Sequence, residues 1–418
     1  MKKYTVAIIG VGARGGESYG QLIHKQKEKF EIVALCDTRK ERLDRFGESF
    51  GVETNLRFLD EDAFFAEKRA DLLVIATQDA DHIRHAKKAF ALGYDILLEK
   101  PITDKQEECI ELLECQKKYG RKALVCHVLR YAPVFLKAYE LIEKGEIGRL
   151  VAINALERVG FWHQAHSYVR GHWRSSKTAT PMILAKCCHD LDLLQWYAKS
   201  KCKSVSSVGD LTYFNEENAP KGATARCVDC PHVNDCAYSA KVIYVHRWIA
   251  DGRPEGVFPF NTVTTAPITE EKLYKAIEES PYGRCVFACD NDVVDHQIVS
   301  MTFDNGVKAE LTMTAFTETG GRRMTFFGTQ GELVLDEQAN EIRLKKFIGK
   351  EEVFPMENII EKGYNHGGGD FYLINTLYDM LEGRGEEVTS LSASVESHLM
   401  GICAEESRKE GGKLIFVH

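Results

Sequence analysis

The sequence predicts two domains in tandem: an α/β domain on a parallel sheet covered on both faces, then an α+β domain on a largely antiparallel open sheet. Three observations carry this reading. Over residues 1–127, short apolar strands alternate with amphipathic helices, the pattern of a parallel sheet. The connections are short, as compact βαβ units require. Over residues 128–418, strands cluster together and helices gather at the ends. A chain of 418 residues accommodates two or three domains of ~100–200 residues each.

In the first domain, residues 4–9, 30–36, 72–76, 94–98 and 123–126 read as buried strands. Helices are expected from Gly15 to about Lys27, through about Glu48, and from His82 to Leu92. A further helix runs to Tyr119 with Asp104 as its cap. In the second domain, helices are expected at 133–145, 185–196, 369–382 and 391–409. Strands are expected at 149–158, 299–303, 307–316, 324–327, 332–335 and 341–346. Residues 209–290 read as irregular.

Composition narrows the function. Hydrophobic residues make up 44% and charged residues 28%, an ordinary globular balance. A net charge of −8 with no basic tract argues against nucleic acid. No apolar run approaches the ~20 residues of a membrane helix, and the N-terminus lacks a signal-peptide core. A cytoplasmic protein is expected. Most of the 13 cysteines read as buried reduced thiols.

Gly10-Val11-Gly12-Ala13-Arg14-Gly15 is a complete G-x-G-x-x-G between a strand and a helix, the context of a dinucleotide loop. Gly10 permits the tight turn, Gly12 the approach of a pyrophosphate, and Gly15 close helix–strand packing. Ala13 and Arg14 belong to the same cradle at a helix N-terminus. Asp37 ends the second strand, 22 residues past Gly15, where a carboxylate accepts from ribose hydroxyls; Thr38 follows it. This favours NAD, with Arg39 nearby leaving NADP as the alternative. The first domain is thus a Rossmann domain. Ligands in such sheets sit at the carboxyl ends of strands, where Glu99-Lys100-Pro101 falls.

With the glycine loop, Glu99-Lys100-Pro101 resembles the Gfo/Idh/MocA oxidoreductase family. Ala76-Thr77 with His82, Leu129-Arg130-Tyr131-Ala132-Pro133, Cys188-His189-Asp190-Leu191-Asp192 and Gly328-Thr329-Gln330-Gly331 resemble further family segments. The resemblance covers nearly the whole chain and is weakest over 200–290. It implies that Thr77, His82, Glu99 and Lys100 border the cofactor, that Lys100 is the active-site lysine, and that His189 is the general acid/base. Many members carry an aspartate four residues before that histidine; here the position is Ala185. Lys186, three residues before His189, would share its helix face and take up the orienting or proton-transfer role.

Residues 160–174 concentrate histidines, arginines and aromatics. His163, Tyr168, Arg170, Trp173 and Arg174 suit a sugar or polyol bearing an acidic group. The same residues also suit packing onto the sheet or a subunit interface. Asp295 is a candidate for substrate hydroxyls. Cys227, Cys230 and Cys236 form a C-x2-C-x5-C group, one ligand short of a structural zinc site. The expected activity is hydride transfer between NAD(P) and a carbinol carbon of a sugar, sugar acid or cyclitol. A redox-neutral NAD-dependent glycosidase or lyase, and a non-catalytic NAD-binding sensor, are the alternatives. The resemblance implies a homodimer or homotetramer packed through the C-terminal sheets.

Overall fold

The computed structural model describes residues 2–356, 366–384 and 388–418. Its first sheet has six strands: β1 (Tyr4–Ile9), β2 (Phe30–Cys36), β3 (Arg57–Phe58), β4 (Leu72–Ile75), β5 (Asp95–Leu98) and β6 (Ala123–Val125). All neighbours are parallel, in the order β3-β2-β1-β4-β5-β6. Strand β4 is buried along its whole length, which is why Leu-Leu-Val-Ile shows no polar alternation. Strand order reverses direction between β1 and β4, the place at the carboxyl edge where such sheets bind ligands. The residues after β1, β2, β4 and β5 all reach that edge: Gly10, Asp37, Ala76 and Glu99. Strand β3, only two residues long, is too short to show a period and was not visible in the sequence. The helix after β5 begins at Gln106 without a side-chain cap, so Asp104 does not cap it. Thr103 Oγ1 instead accepts from the Lys105 amide at 3.3 Å.

The second sheet adds β7 (Leu150–Arg158), β8 (Cys202–Asp210), β9 (His296–Phe303), β10 (Lys308–Thr314), β11 (Gly321–Gly328), β12 (Gly331–Asp336), β13 (Glu341–Lys346), β14 (Glu352–Pro355) and β15 (Ile415–Phe416). Their order is β14-β13-β12-β11-β7-β10-β9-β8-β15. Only β7 and β10 pair in parallel; the other neighbours are antiparallel. One face packs Ile153, Ala155, Leu311 and Met313 under the helix Cys188–Ala198. On the other face, register sets Asn154, Glu310, Ser300 and Ser206 in one row, and Leu156, Thr312, Ile298 and Val208 in the next. None of those eight residues is buried.

Two expectations are corrected. Residues 209–290 are not featureless. They hold their own core of Phe214, Tyr244, Trp248, Phe260, Leu273 and Ile277, with a helix at Glu270–Glu279. The helix expected over 185–196 is two helices, Met182–Ala185 and Cys188–Ala198, because Cys187 leaves helical geometry at φ −88°, ψ 5°. The two domains are also tied together directly. The Val125 amide donates to Thr389 O at 3.0 Å, and Leu124 bridges Ser390, so a late segment extends the edge of the first sheet.

Candidate active site

The glycine loop is shaped by main-chain contacts. A Cβ on Gly10 would sit 2.4 Å from Ala76 O, and Gly10 has φ +85°; a Cβ on Gly15 would sit 2.1 Å from Gly10 O. At Gly12 a Cβ would meet nothing nearer than the Arg42 guanidinium at 3.3 Å, so this surface stays open to a ligand. The helix Ala13–Gly20 follows, and its opening amides lack intrahelical acceptors. Asp37 Oδ2 accepts from the Val11 amide and Oδ1 from the Arg39 amide, both at 2.9 Å. Those bonds fix the carboxylate while leaving each oxygen a lone pair for a ribose hydroxyl. Thr38 beside it is exposed. This cradle fits the adenosine pyrophosphate half of NAD.

Other residues expected at the cofactor have partners of their own. Arg14 leaves the loop and pairs with Glu99 Oε1 at 2.7 Å and with Asp370 at 2.9 Å. It also bonds Tyr19 OH. Glu99 accepts from Tyr19 OH and from the Lys100 amide. Burial would raise Glu99, but Arg14 and then Lys100 outweigh it and hold the carboxyl below its usual range. His82 Nδ1 lies 2.7 Å from Pro101 O, and Nε2 lies 3.2 Å from Thr77 O. The Thr77 hydroxyl bonds His85 Nδ1 at 3.1 Å. His82 therefore joins the loop after β4 to the loop after β5, rather than standing free toward a ligand.

Lys100 donates from Nζ to Ala185 O at 3.0 Å and has no carboxylate partner among the described residues. The helix break after Ala185 frees that carbonyl from its usual acceptor duty. His189 lies across from Lys100, 7% exposed, with no partner on Nδ1. Its ring centroid is 5.8 Å from His127 and 6.2 Å from His366. Burial, then Lys100 and Arg322, hold His189 well below the usual histidine range, so it is neutral near pH 7 and able to accept a proton.

Lys186 does not share a helix face with His189, since the break falls between them. Its Nζ lies 3.1 Å from Glu157 Oε1. Arg322 pairs with Glu157 Oε2 at 3.0 Å and with Asp190 Oδ1 at 2.8 Å. Two carboxylates thus share two cations under the cleft. Burial pushes Asp190 up to about 7 despite Arg322. Burial would raise Glu157 too, but Arg322 and then Lys186 hold it low.

The segment 160–174 divides. His163 and Tyr168 stay at the cleft: their rings are 5.8 Å apart, and burial, then Lys186, depress His163. Trp173 donates from Nε1 to Asp79 Oδ2 at 3.2 Å, and Thr180 donates to the same oxygen at 3.1 Å. Arg170, 1% exposed, turns the other way and donates to Arg284 O and Tyr238 O at 2.6 and 2.7 Å. Arg174 is spent on Asp290 at 3.0 Å. Asp295 Oδ2 accepts from the Thr212 and Tyr213 amides at 3.0 and 2.7 Å, which pins the start of the insertion. These three residues do not present their charges to the cleft. All 13 cysteines are free, and among the described residues no group of three or more His, Cys, Asp or Glu could hold a metal ion. Cys227, Cys230 and Cys236 lie in the insertion, with Cys227 accepting from Arg170 at 3.5 Å.

Sequence reasoning missed Asp79, His366 and Asp370. The last two had a readable signal, His366-Gly367-Gly368-Gly369-Asp370. A Cβ on Gly369 would lie 2.3 Å from Val128 O, so that stretch packs its backbone against the domain junction.

A doubly wound sheet with a glycine loop and a fixed acidic residue at its carboxyl edge defines an NAD-binding oxidoreductase. The chain belongs to the Gfo/Idh/MocA oxidoreductase family: the model of its NAD-binding Rossmann fold matches residues 4–127, and that of its C-terminal α/β domain matches 139–415. The oxidoreductase YteT of Bacillus subtilis (strain 168) is 23% identical over 391 residues, covering 90% of this chain and 88% of that protein. An inositol 2-dehydrogenase of Rubrobacter xylanophilus is 23% identical over 49% of this chain and 55% of its own length. Among solved structures, levoglucosan dehydrogenase with NADH and levoglucosan superposes with a TM-score of 0.73 at 15% identity, covering 100% of both chains. No helix among the described residues is long and apolar enough to cross a membrane.

Proposed function

We propose that the protein oxidises a carbinol carbon of a sugar, sugar acid or cyclitol with NAD, and catalyses the reverse reduction. The observation that carries this reading is the convergence of Lys100 and neutral His189 at the carboxyl edge, beside the glycine loop. Bound NAD supplies the hydride acceptor at its nicotinamide ring. The Lys100 ammonium, steered by Ala185 O, donates to the substrate oxygen as negative charge develops on it. His189 takes the hydroxyl proton. Lys186 is held on Glu157 beneath the cleft, where its charge is compensated. His163, Tyr168 and Trp173 form the wall against which the ring of the substrate is held in one orientation. The names inositol 2-dehydrogenase and levoglucosan dehydrogenase support a polyol or sugar. Asp37 supports NAD over NADP, because it repels a 2′-phosphate. The uncovered face of the nine-stranded sheet supports association of copies through that face.

A second reading has one observation behind it. With a main-chain carbonyl, and no carboxylate among the described residues, on Lys100 Nζ, transient oxidation followed by elimination and re-reduction is also accommodated. Purified protein incubated with NAD and a panel of sugars, sugar acids and inositols separates the two. Growth at 340 nm with one compound, abolished in Lys100→Ala, establishes the dehydrogenase. Substrate consumption with a flat 340 nm trace establishes the redox-neutral route.

A further inference from the structure

We propose that His366, oriented by Asp370, carries the proton from His189 to solvent. The inference rests on the dehydrogenase reading above. That reaction releases one proton per turnover, and His189 is only 7% exposed. His127, the nearer ring at 5.8 Å, is fully buried, whereas the ring of His366 reaches solvent. Its centroid lies 6.2 Å from that of His189, a separation one bridging water spans, and its side chain is 36% exposed.

The ring is also held. His366 Nδ1 lies 3.2 Å from Asp370 Oδ1, while Asp370 accepts from Arg14 at 2.9 and 3.0 Å and from Ser18 Oγ at 2.7 Å. Burial would raise Asp370, but Arg14 and then His366 outweigh it and hold the carboxyl far below its usual range. Asp370 is therefore a fixed anion. By binding Nδ1 it leaves Nε2 of His366 for proton exchange. The charged and titratable groups around the two rings are Arg14, Asp370, Lys100, Arg322 and His127. The proton path is balanced: the O–H bond of the carbinol breaks and its proton passes to His189. His189 then passes a proton to His366, which releases one to water.

His366→Asn is the test, since φ +53° at this position suits asparagine and the loop keeps its conformation. With NAD and the carbinol found in the panel, kcat is expected to fall roughly 10- to 100-fold while KM stays within about twofold. Added imidazole should restore most of the loss. On the same holoprotein with 15N-labelled histidine, solvent exchange of the His189 ring proton should slow by about tenfold, a readout independent of turnover. Unchanged kcat, unchanged exchange, or a loss that imidazole does not rescue overturns the relay and leaves the dehydrogenase standing. A wild-type protein silent across the panel removes the dehydrogenase, and the relay with it.

Discussion

The carboxyl edge of the first sheet and the segment 160–174 both drew attention for their residue types, and they turn out differently. At the edge, Gly10, Gly12, Gly15 and Asp37 are set by strand, turn and helix within a few residues, and they sit where the pattern puts them. In the segment, Arg170 answers to Arg284, 114 positions away, and Arg174 to Asp290, 116 positions away. A charge is available to a ligand only if no distant group claims it first.

This contrast can be broken by mutation. Lys100→Ala should lower kcat/KM by roughly 10²–10⁴-fold with NAD affinity unchanged, measured by kinetics and fluorescence titration. Arg170→Ala should do the opposite. Stability falls by about 3 kcal/mol in denaturant titration, because buried carbonyls lose their donor, while kcat per folded molecule holds. A loss of kcat without loss of stability would return Arg170 to the cleft.

Protonation supplies a third probe. Burial depresses His166, in the segment, and His398, whose Nε2 accepts from the Ile102 amide near Lys100, each to about 3. An unfolded histidine binds its proton near ~6.5, so the unfolded state gains protons first on acidification. Stability from both rings is whole above about pH 6.5 and is lost as pH falls toward 3, at about 2 kcal/mol per ring by pH 5. Melting temperatures across that range should flatten equally in His166→Gln and His398→Gln. Gly12→Ala should leave stability within about 0.5 kcal/mol and weaken NAD roughly tenfold, about 1.4 kcal/mol. Arg174→Ala, a half-exposed pair, should cost under about 1 kcal/mol and leave KM alone.

The same division explains what was legible. Strands β1, β2, β4 and β5 are largely buried apolar runs, which made them legible, whereas the register of β1 on β2, with its irregularity at Val6/Ala7, was not. Strand β8, Cys-Lys-Ser-Val-Ser-Ser-Val-Gly-Asp, has no such run; its place is set by pairing with β9 across 86 or more residues. The break at Cys187 was not legible either, because Ala185 to Trp196 contains no glycine or proline to mark it. Yet the break decides the site: it turns Ala185 O toward Lys100 and Lys186 toward Glu157. The core of the insertion is formed by residues spread from Phe214 to Phe287, too far apart for any local period.

The bond from Arg14 to Asp370 bears on how this fold can be recombined. A chimera that grafts residues 1–127 onto another member's second domain keeps the Arg14–Glu99 pair but leaves Asp370, the second carboxylate on that half-buried guanidinium, behind. The edge strand β6 loses its neighbour at Thr389 in the same cut. Exchange of nucleotide specificity between relatives is therefore best done by residues around Asp37, and a graft of the whole module has to bring Asp370 and the 389–390 segment with it.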